Sequence, residues 1–133
     1  PLPELLRTLA QNHSERTGTE VGFAARSRGA AELSAAVKTC VFRVAQEGLT
    51  NAWRHGGGVG QEVELEIFGD RLSLWVRDRG PGFPPEVEAA EDGGMGLQGL
   101  KDRVESLGGH IERRNRSGGG AELRMTLDLG GVE

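Results

Sequence analysis

Glycine supplies 22 of the 133 residues, and its placement constrains the fold more than any other feature. The glycines gather at 56–60, 80–82, 93–99, 108–109, 118–120 and 130–131, with no repeat period. A fibrous or low-complexity chain would need such a period or an even bias. Clusters of this kind instead cut a chain into short elements, or let a ligand come close to bare backbone.

The segments between the clusters carry enough apolar residues to close a core. Hydrophobic residues make up 36% and charged residues 27%, which predicts one globular domain over residues 1–133. The net charge of −4 offers no basic footprint, so no nucleic-acid partner is expected. A polyanion could be held only locally, by backbone amides, a few cations and a metal. The single cysteine, Cys40, has no partner for an internal disulfide, which suits a cytoplasmic domain. No apolar run approaches the roughly 18–20 residues that span a bilayer, so no membrane contact is expected of this segment. The chain opens on Pro1 without an initiator Met, which predicts a piece of a longer parent, whose own membrane attachment stays open.

Periodicity places the elements. Leu2, Leu5, Leu6, Leu9 and Ala10 have helical spacing over residues 2–16, and Gly18 stops them. Residues 19–26 read as a short strand, with Val21 and Phe23 on one face. The strongest helix runs over residues 32–55, with Val37, Val41, Val44, Ala45, Gly48, Leu49 and Ala52 as its stripe and Gly56-Gly57-Gly58 as its end. Val63, Leu65 and Ile67 alternate with Glu62, Glu64 and Glu66, and Leu72, Leu74 and Val76 repeat the alternation after Gly69-Asp70. That pattern is a hairpin with one wet face. Residues 79–96 hold three of the five prolines and form a loop long enough to be functional. Residues 97–107 follow as a helix, then strands at 110–114 and 121–129. Helices on one face of a mixed sheet are expected, an α+β two-layer sandwich. Trp53 and Trp75 are expected to be partly buried.

Three features carry chemistry. On the long helix, Glu47, Asn51 and His55 stand four apart, so each advances only about 40° around the axis. They form a polar stripe of oxygen ligands suited to a hard cation, with Arg54 and His55 at the helix end in reach of an anion. A solvated helix face with ordinary capping is the competing reading. Asp78-Arg79-Gly80-Pro81-Gly82 follows a strand, where a carboxylate can accept from a nucleobase amine while glycines let the ligand lie close. A plain turn would look similar. Gly94-Met95-Gly96-Leu97-Gln98-Gly99 opens a helix bearing Lys101 and Arg103, and glycine-rich backbone there offers amides to phosphate. It is neither a dinucleotide fingerprint nor a Walker loop, since no βαβ context and no Gly-Lys-Ser/Thr accompany it.

In this order the three segments resemble the GHKL (Bergerat-fold) ATPases, which include gyrase, the Hsp90 chaperones, MutL and histidine kinases. VFRVAQEGLTNAWRH resembles the asparagine box, VRDRGPGF the first glycine box, and GMGLQGLKDRVESLGG the second. The run GLxGxxxRVxxLGG is similar to sensor kinases of the nitrate-sensor and desaturase-kinase type. The resemblance covers roughly residues 30–129, with the ATP lid at about 83–95. It implies a two-component signal-transduction transferase that moves the γ-phosphoryl of ATP to a histidine on a separate dimerisation and phosphoacceptor domain, and through that domain serves a response regulator. By the same resemblance Asn51 ligates Mg²⁺ bridging the phosphates, Glu47 is the metal-organising or water-activating acid, and Arg54 and His55 meet phosphates. Asp78 accepts from the adenine amine, with Gly80 and Gly82 shaping the base pocket. Gly94, Gly96, Leu97 and Gly99 form the phosphate side and the lid hinge, and the lid is expected to be disordered without nucleotide.

Two departures stand out. Family members carry Thr after the last glycine pair, where it helps hold a water near adenine; here that position is Ala121, at a cost of about 1 kcal/mol for one lost hydrogen bond. No phosphoacceptor helix is expected within residues 1–133, so this segment is expected to bind nucleotide and to autophosphorylate nothing alone. His13 is expected on an exposed helix face and His110 at a strand edge. The rival readings are an anti-sigma-factor serine kinase, against which GLxGxxxRVxxLGG speaks, and a nucleotide-binding interaction module without catalysis.

Overall fold

The computed structural model describes residues 1–28, 32–85 and 97–130. Its elements are α1 (Leu2–Thr17), β1 (Val21–Arg28), α2 (Ala35–Arg54), β2 (Gln61–Phe68), β3 (Arg71–Arg77), α3 (Gln98–Ser106), β4 (Gly109–Asn115) and β5 (Ala121–Asp128). The strands make one sheet in the order β1-β2-β3-β5-β4. β1 pairs parallel to β2, and every other pair is antiparallel.

The alternation read from residues 61–77 sets the layers. Val63, Leu65, Ile67, Leu72, Leu74 and Val76 are buried against Leu6, Val41, Val44, Leu49 and Val104 of the three helices. The three helices of the described residues therefore lie on one face of a mixed sheet, the expected two-layer sandwich. α2 starts three residues later than its periodicity suggested. Ser34 takes an extended conformation and its hydroxyl accepts from the Val37 N–H at 3.1 Å, so the helix begins behind a side-chain cap.

The opposite face has no helix layer among the described residues and is covered by ion pairs. Arg77 donates to Glu64 at 2.9 Å and to Glu122 at 2.8 Å, Arg114 donates to the other oxygen of Glu122 at 2.8 Å, and Arg26 pairs with Glu64 and Glu66. Trp75 lies between the guanidinium groups of Arg77 and Arg124, 5.3 and 5.4 Å from its ring. Burial alone would raise the Glu122 carboxyl, but the Arg77 hydrogen bond and the Arg114 charge outweigh it and hold the group below its ordinary range. Trp75 is half-buried as expected, whereas Trp53 is 45% exposed.

His13 overturns its expectation. It is only 2% exposed, continues the stripe of Leu2, Leu6, Leu9 and Ala10, and bonds Gln61 across the α1–β2 junction at 3.0 Å. Gln61 donates in turn to the Thr19 hydroxyl and the Glu20 carbonyl, so its oxygen is left to accept from His13 Nε2–H. Burial pushes the His13 proton affinity below the usual 6.5, the Gln61 bond opposing and the Arg16 charge adding to it. The unfolded chain thus binds the proton more readily. Stability from this residue is complete above about pH 6.5 and is lost as pH falls toward the lowered folded-state value. The thermal midpoint of the wild type is expected to drop more steeply between pH 7.5 and 5.5 than that of His13→Gln. Parallel curves from scanning calorimetry would refute this.

Candidate functional site

A cleft opens where the C-terminal half of α2 meets the ends of β3 and β5. Gly48, Asn51, Ala52, His55 and Gly56 line it from the helix, Val76, Asp78, Gly82 and Phe83 from β3 and the segment after it, and Leu97, Ala121 and Leu123 complete the wall. The lining is mostly apolar, with one buried carboxylate, which is the composition of a site for a flat organic ring with a donor edge.

Asp78 is 4% exposed and is held on several sides. Its Oδ1 accepts from the Gly80 N–H at 2.8 Å and the Ala121 N–H at 3.3 Å. Its backbone N–H donates to the Ala121 carbonyl at 3.0 Å, and its carbonyl accepts from Arg116 Nη1 at 2.9 Å. Two backbone amides on one oxygen fix the carboxylate plane. Oδ2 is turned to Gly56, where a Cβ would lie 3.0 Å from it. A carboxylate so fixed presents a pure acceptor to whatever enters the cleft. Gly120 is the glycine this geometry requires: its φ is +106°, and a Cβ there would run into the Asp78 carbonyl.

The structure divides the residues picked out from the sequence. Asn51, His55, Asp78, Gly82 and Leu97 meet in the cleft, as does Ala121. Gly80 sits against Gly56 beneath the rim. Glu47 and Gly99 line the next groove along α2 and α3, with Cys40, Arg43, Gln46 and Arg103. Arg54 stands exposed in the last turn of α2 and lines neither. Gly94, Gly96 and most of the expected lid at 83–95 lie outside the described residues. The N-cap of α3, Leu97, makes no side-chain capping bond among the described residues. His110 is exposed on β4 at the sheet edge, as expected.

Sequence reasoning missed Gly56, Phe83 and Asn115. Gly56 reads as a helix stop, yet it also faces Asp78. Asn115 accepts from the Phe83 N–H at 2.6 Å and donates to the Phe83 carbonyl at 3.2 Å, pinning a cleft-lining residue from β4. A polar residue ending a strand gives no sign of a backbone partner 32 positions away.

Among the described residues no three His, Cys, Asp or Glu side chains gather as a metal site. The cleft supplies the amide of Asn51, a donor set that fits a cation arriving with oxygen ligands on its own substrate. No helix of the described residues is long and apolar enough to cross a membrane.

Comparisons with known proteins agree with this geometry. The sensor histidine kinase LnrJ of Bacillus subtilis (strain 168) is 36% identical over 128 residues, covering 96% of this chain and 30% of that protein. The DegS signal transduction histidine-protein kinase/phosphatase of the same strain is 31% identical over 98 residues, 73% of this chain and 26% of its own length. The chain thus spans about a third or less of the curated relatives it matches. Full-length ShkA, solved in complex with AMPPNP, shares the fold with a TM-score of 0.74 at 20% identity, over 99% of this chain and 31% of that one. The pattern of the histidine kinase-, DNA gyrase B- and HSP90-like ATPases matches residues 36–131, and the chain belongs to that family.

Proposed function

We propose that residues 1–133 act as one ATP-binding catalytic domain of a sensor histidine kinase, passing the γ-phosphoryl of ATP to a histidine on a dimerisation and phosphoacceptor domain. The observation that carries this reading is Asp78, buried and clamped at the end of an apolar cleft with one oxygen turned inward. That oxygen would accept from the adenine amine, and Gly82, Phe83, Leu97 and Ala121 would enclose the ring. The base so oriented would send its phosphates along α2 past Asn51 and His55. Mg²⁺, held by the Asn51 amide oxygen and the phosphates, would neutralise charge developing on the transferred group. Glu47, one turn back beside Gly99, would organise the metal's water or activate the acceptor, with Arg54 at the outer end of the phosphates. The lid at about 83–95, with Gly94 and Gly96, would close the phosphate side. Positioning and electrostatics then provide most of the catalysis, because the nucleophile comes from the partner domain. AMPPNP in ShkA and the kinase names of the relatives support the same assignment. A response regulator would be served through the acceptor domain, and the domain itself would work in the cytoplasm.

Titration calorimetry tests the metal assignment. Asn51→Ala is expected to weaken ATP binding about tenfold in Mg²⁺, the loss of one ligand, and to change it little in chelator. Equal effects in both buffers would remove Asn51 from the metal site. Incubation with labelled ATP and a purified dimerisation domain should place phosphate on histidine. Phosphate on serine of another protein would favour an anti-sigma kinase, and none anywhere a binding module.

A further inference from the structure

We propose that Asn115 is a positioning residue for the nucleotide, acting through Phe83; the proposal rests on the nucleotide-binding reading of the cleft. Phe83 is half-buried, lines the cleft, and follows the glycine segment that begins at Asp78. Backbone bonds hold the start of residues 78–83, Asp78 donating to the Ala121 carbonyl and Arg79 to the Val59 carbonyl. The near end is fixed through Asp78 by Ala121, Gly80 and Arg116. The far end is held by a side chain, Asn115. Asn115 Oδ1 accepts from the Phe83 N–H and Nδ2 donates to the Phe83 carbonyl.

This is the two-bond exchange of an antiparallel strand pair, with a side-chain amide in place of one strand. Only an amide offers a donor and an acceptor side by side; a carboxylate accepts only, and Ala does neither. The spacing also matters. Asn115 is the last residue of β4 and pairs with Ala121, which lines the cleft and bonds Asp78. Arg116, its neighbour, donates to the Asp78 carbonyl. The β4–β5 hairpin thus braces both ends of the glycine segment, Arg116 near Asp78 and Asn115 at Phe83. Gly82, with a φ of +84°, turns between them and lies against the Asn115 amide. Phe83 is thereby set at a fixed height over the cleft, and the ring-binding wall is built before ligand arrives.

Three variants test this against ATP in the presence of Mg²⁺: Asn115→Ala, Asn115→Asp and Asn115→Gln. The Ala variant should bind ATP about tenfold more weakly, the Asp variant about as weakly because a carboxylate oxygen then faces the Phe83 carbonyl, and the longer Gln should restore part of the affinity. Hydrogen exchange at the Phe83 amide should accelerate about tenfold or more in Ala, while amides of the β3–β5 ladder keep their protection. A merely structural role would loosen the ladder as well. Wild-type affinity in the Ala variant, or unchanged Phe83 exchange, overturns the proposal. If the wild type itself binds no ATP, the underlying nucleotide reading fails instead, and the Phe83 exchange result still decides whether Asn115 holds the segment.

Discussion

Asp78→Asn is expected to reduce ATP affinity about a hundredfold or more while moving the thermal midpoint by no more than about 2 °C. The two parts follow from the two oxygens. Oδ1 accepts from the amides of Gly80 and Ala121, and an Asn oxygen can take over both bonds. Oδ2, turned to Gly56 and the cleft, would be replaced by an NH₂ group. A donor then faces the donor edge of the base, so the change inserts a clash instead of deleting a contact, and a site's unpaired polar groups are where discrimination is largest. Asp78→Ala separates the roles. It leaves two amides without their acceptor, that of Ala121 buried and that of Gly80 half-buried, and should lower stability by about 2–3 kcal/mol as well as abolishing binding. Calorimetric titration and thermal melts on both variants check this. Full affinity in the Asn variant would remove Asp78 from the base site.

Gly120→Ala should damage the domain severely. The backbone there has a φ of +106°, which alanine adopts only under strain, and the new Cβ would press on the Asp78 carbonyl and lie 2.9 Å from the Arg79 Cα. Backbone cannot rotate aside as a side chain can. A loss of about 3 kcal/mol, or a fall of roughly 10 °C in midpoint, is expected, with nucleotide affinity falling too because Asp78 is displaced. Gly119→Ala is the control. Its φ is also +106°, but nothing lies within 4 Å of a Cβ there, so it should show the conformational strain alone. Equal losses in the two variants would show that crowding against Asp78 adds nothing.

Much of the architecture was legible because the sheet alternates and the helices do not. Val63 through Val76 named their own face, and the helices had one face of the sheet left to cover. His13 was misread because residue type was weighed above position. It falls on the stripe of Leu6, Leu9 and Ala10, but its partner Gln61 is 48 residues away and no local signal joins them. The polar stripe expected on α2 is divided between two grooves. Steps of about 40° accumulate, so Glu47 and His55 end about 80° apart, enough to put Glu47 in a separate groove. Asp78 could be picked out because a strand-end carboxylate before glycine is a local pattern. Asn115 could not, since what it recognises is backbone and backbone has no letter.

The seam between β3 and β5 bears on how the protein assembles. β2–β3 and β4–β5 are hairpins of neighbouring strands, each able to form early from contacts close in sequence, while β3 meets β5 only across some fifty intervening positions. The Asp78–Ala121 rung is the last of that late pairing. The cleft therefore straddles the junction of two units and cannot exist in either one alone. Ligand bound there would act as a clasp, opposing the opening that separates the hairpins and leaving their internal fraying untouched.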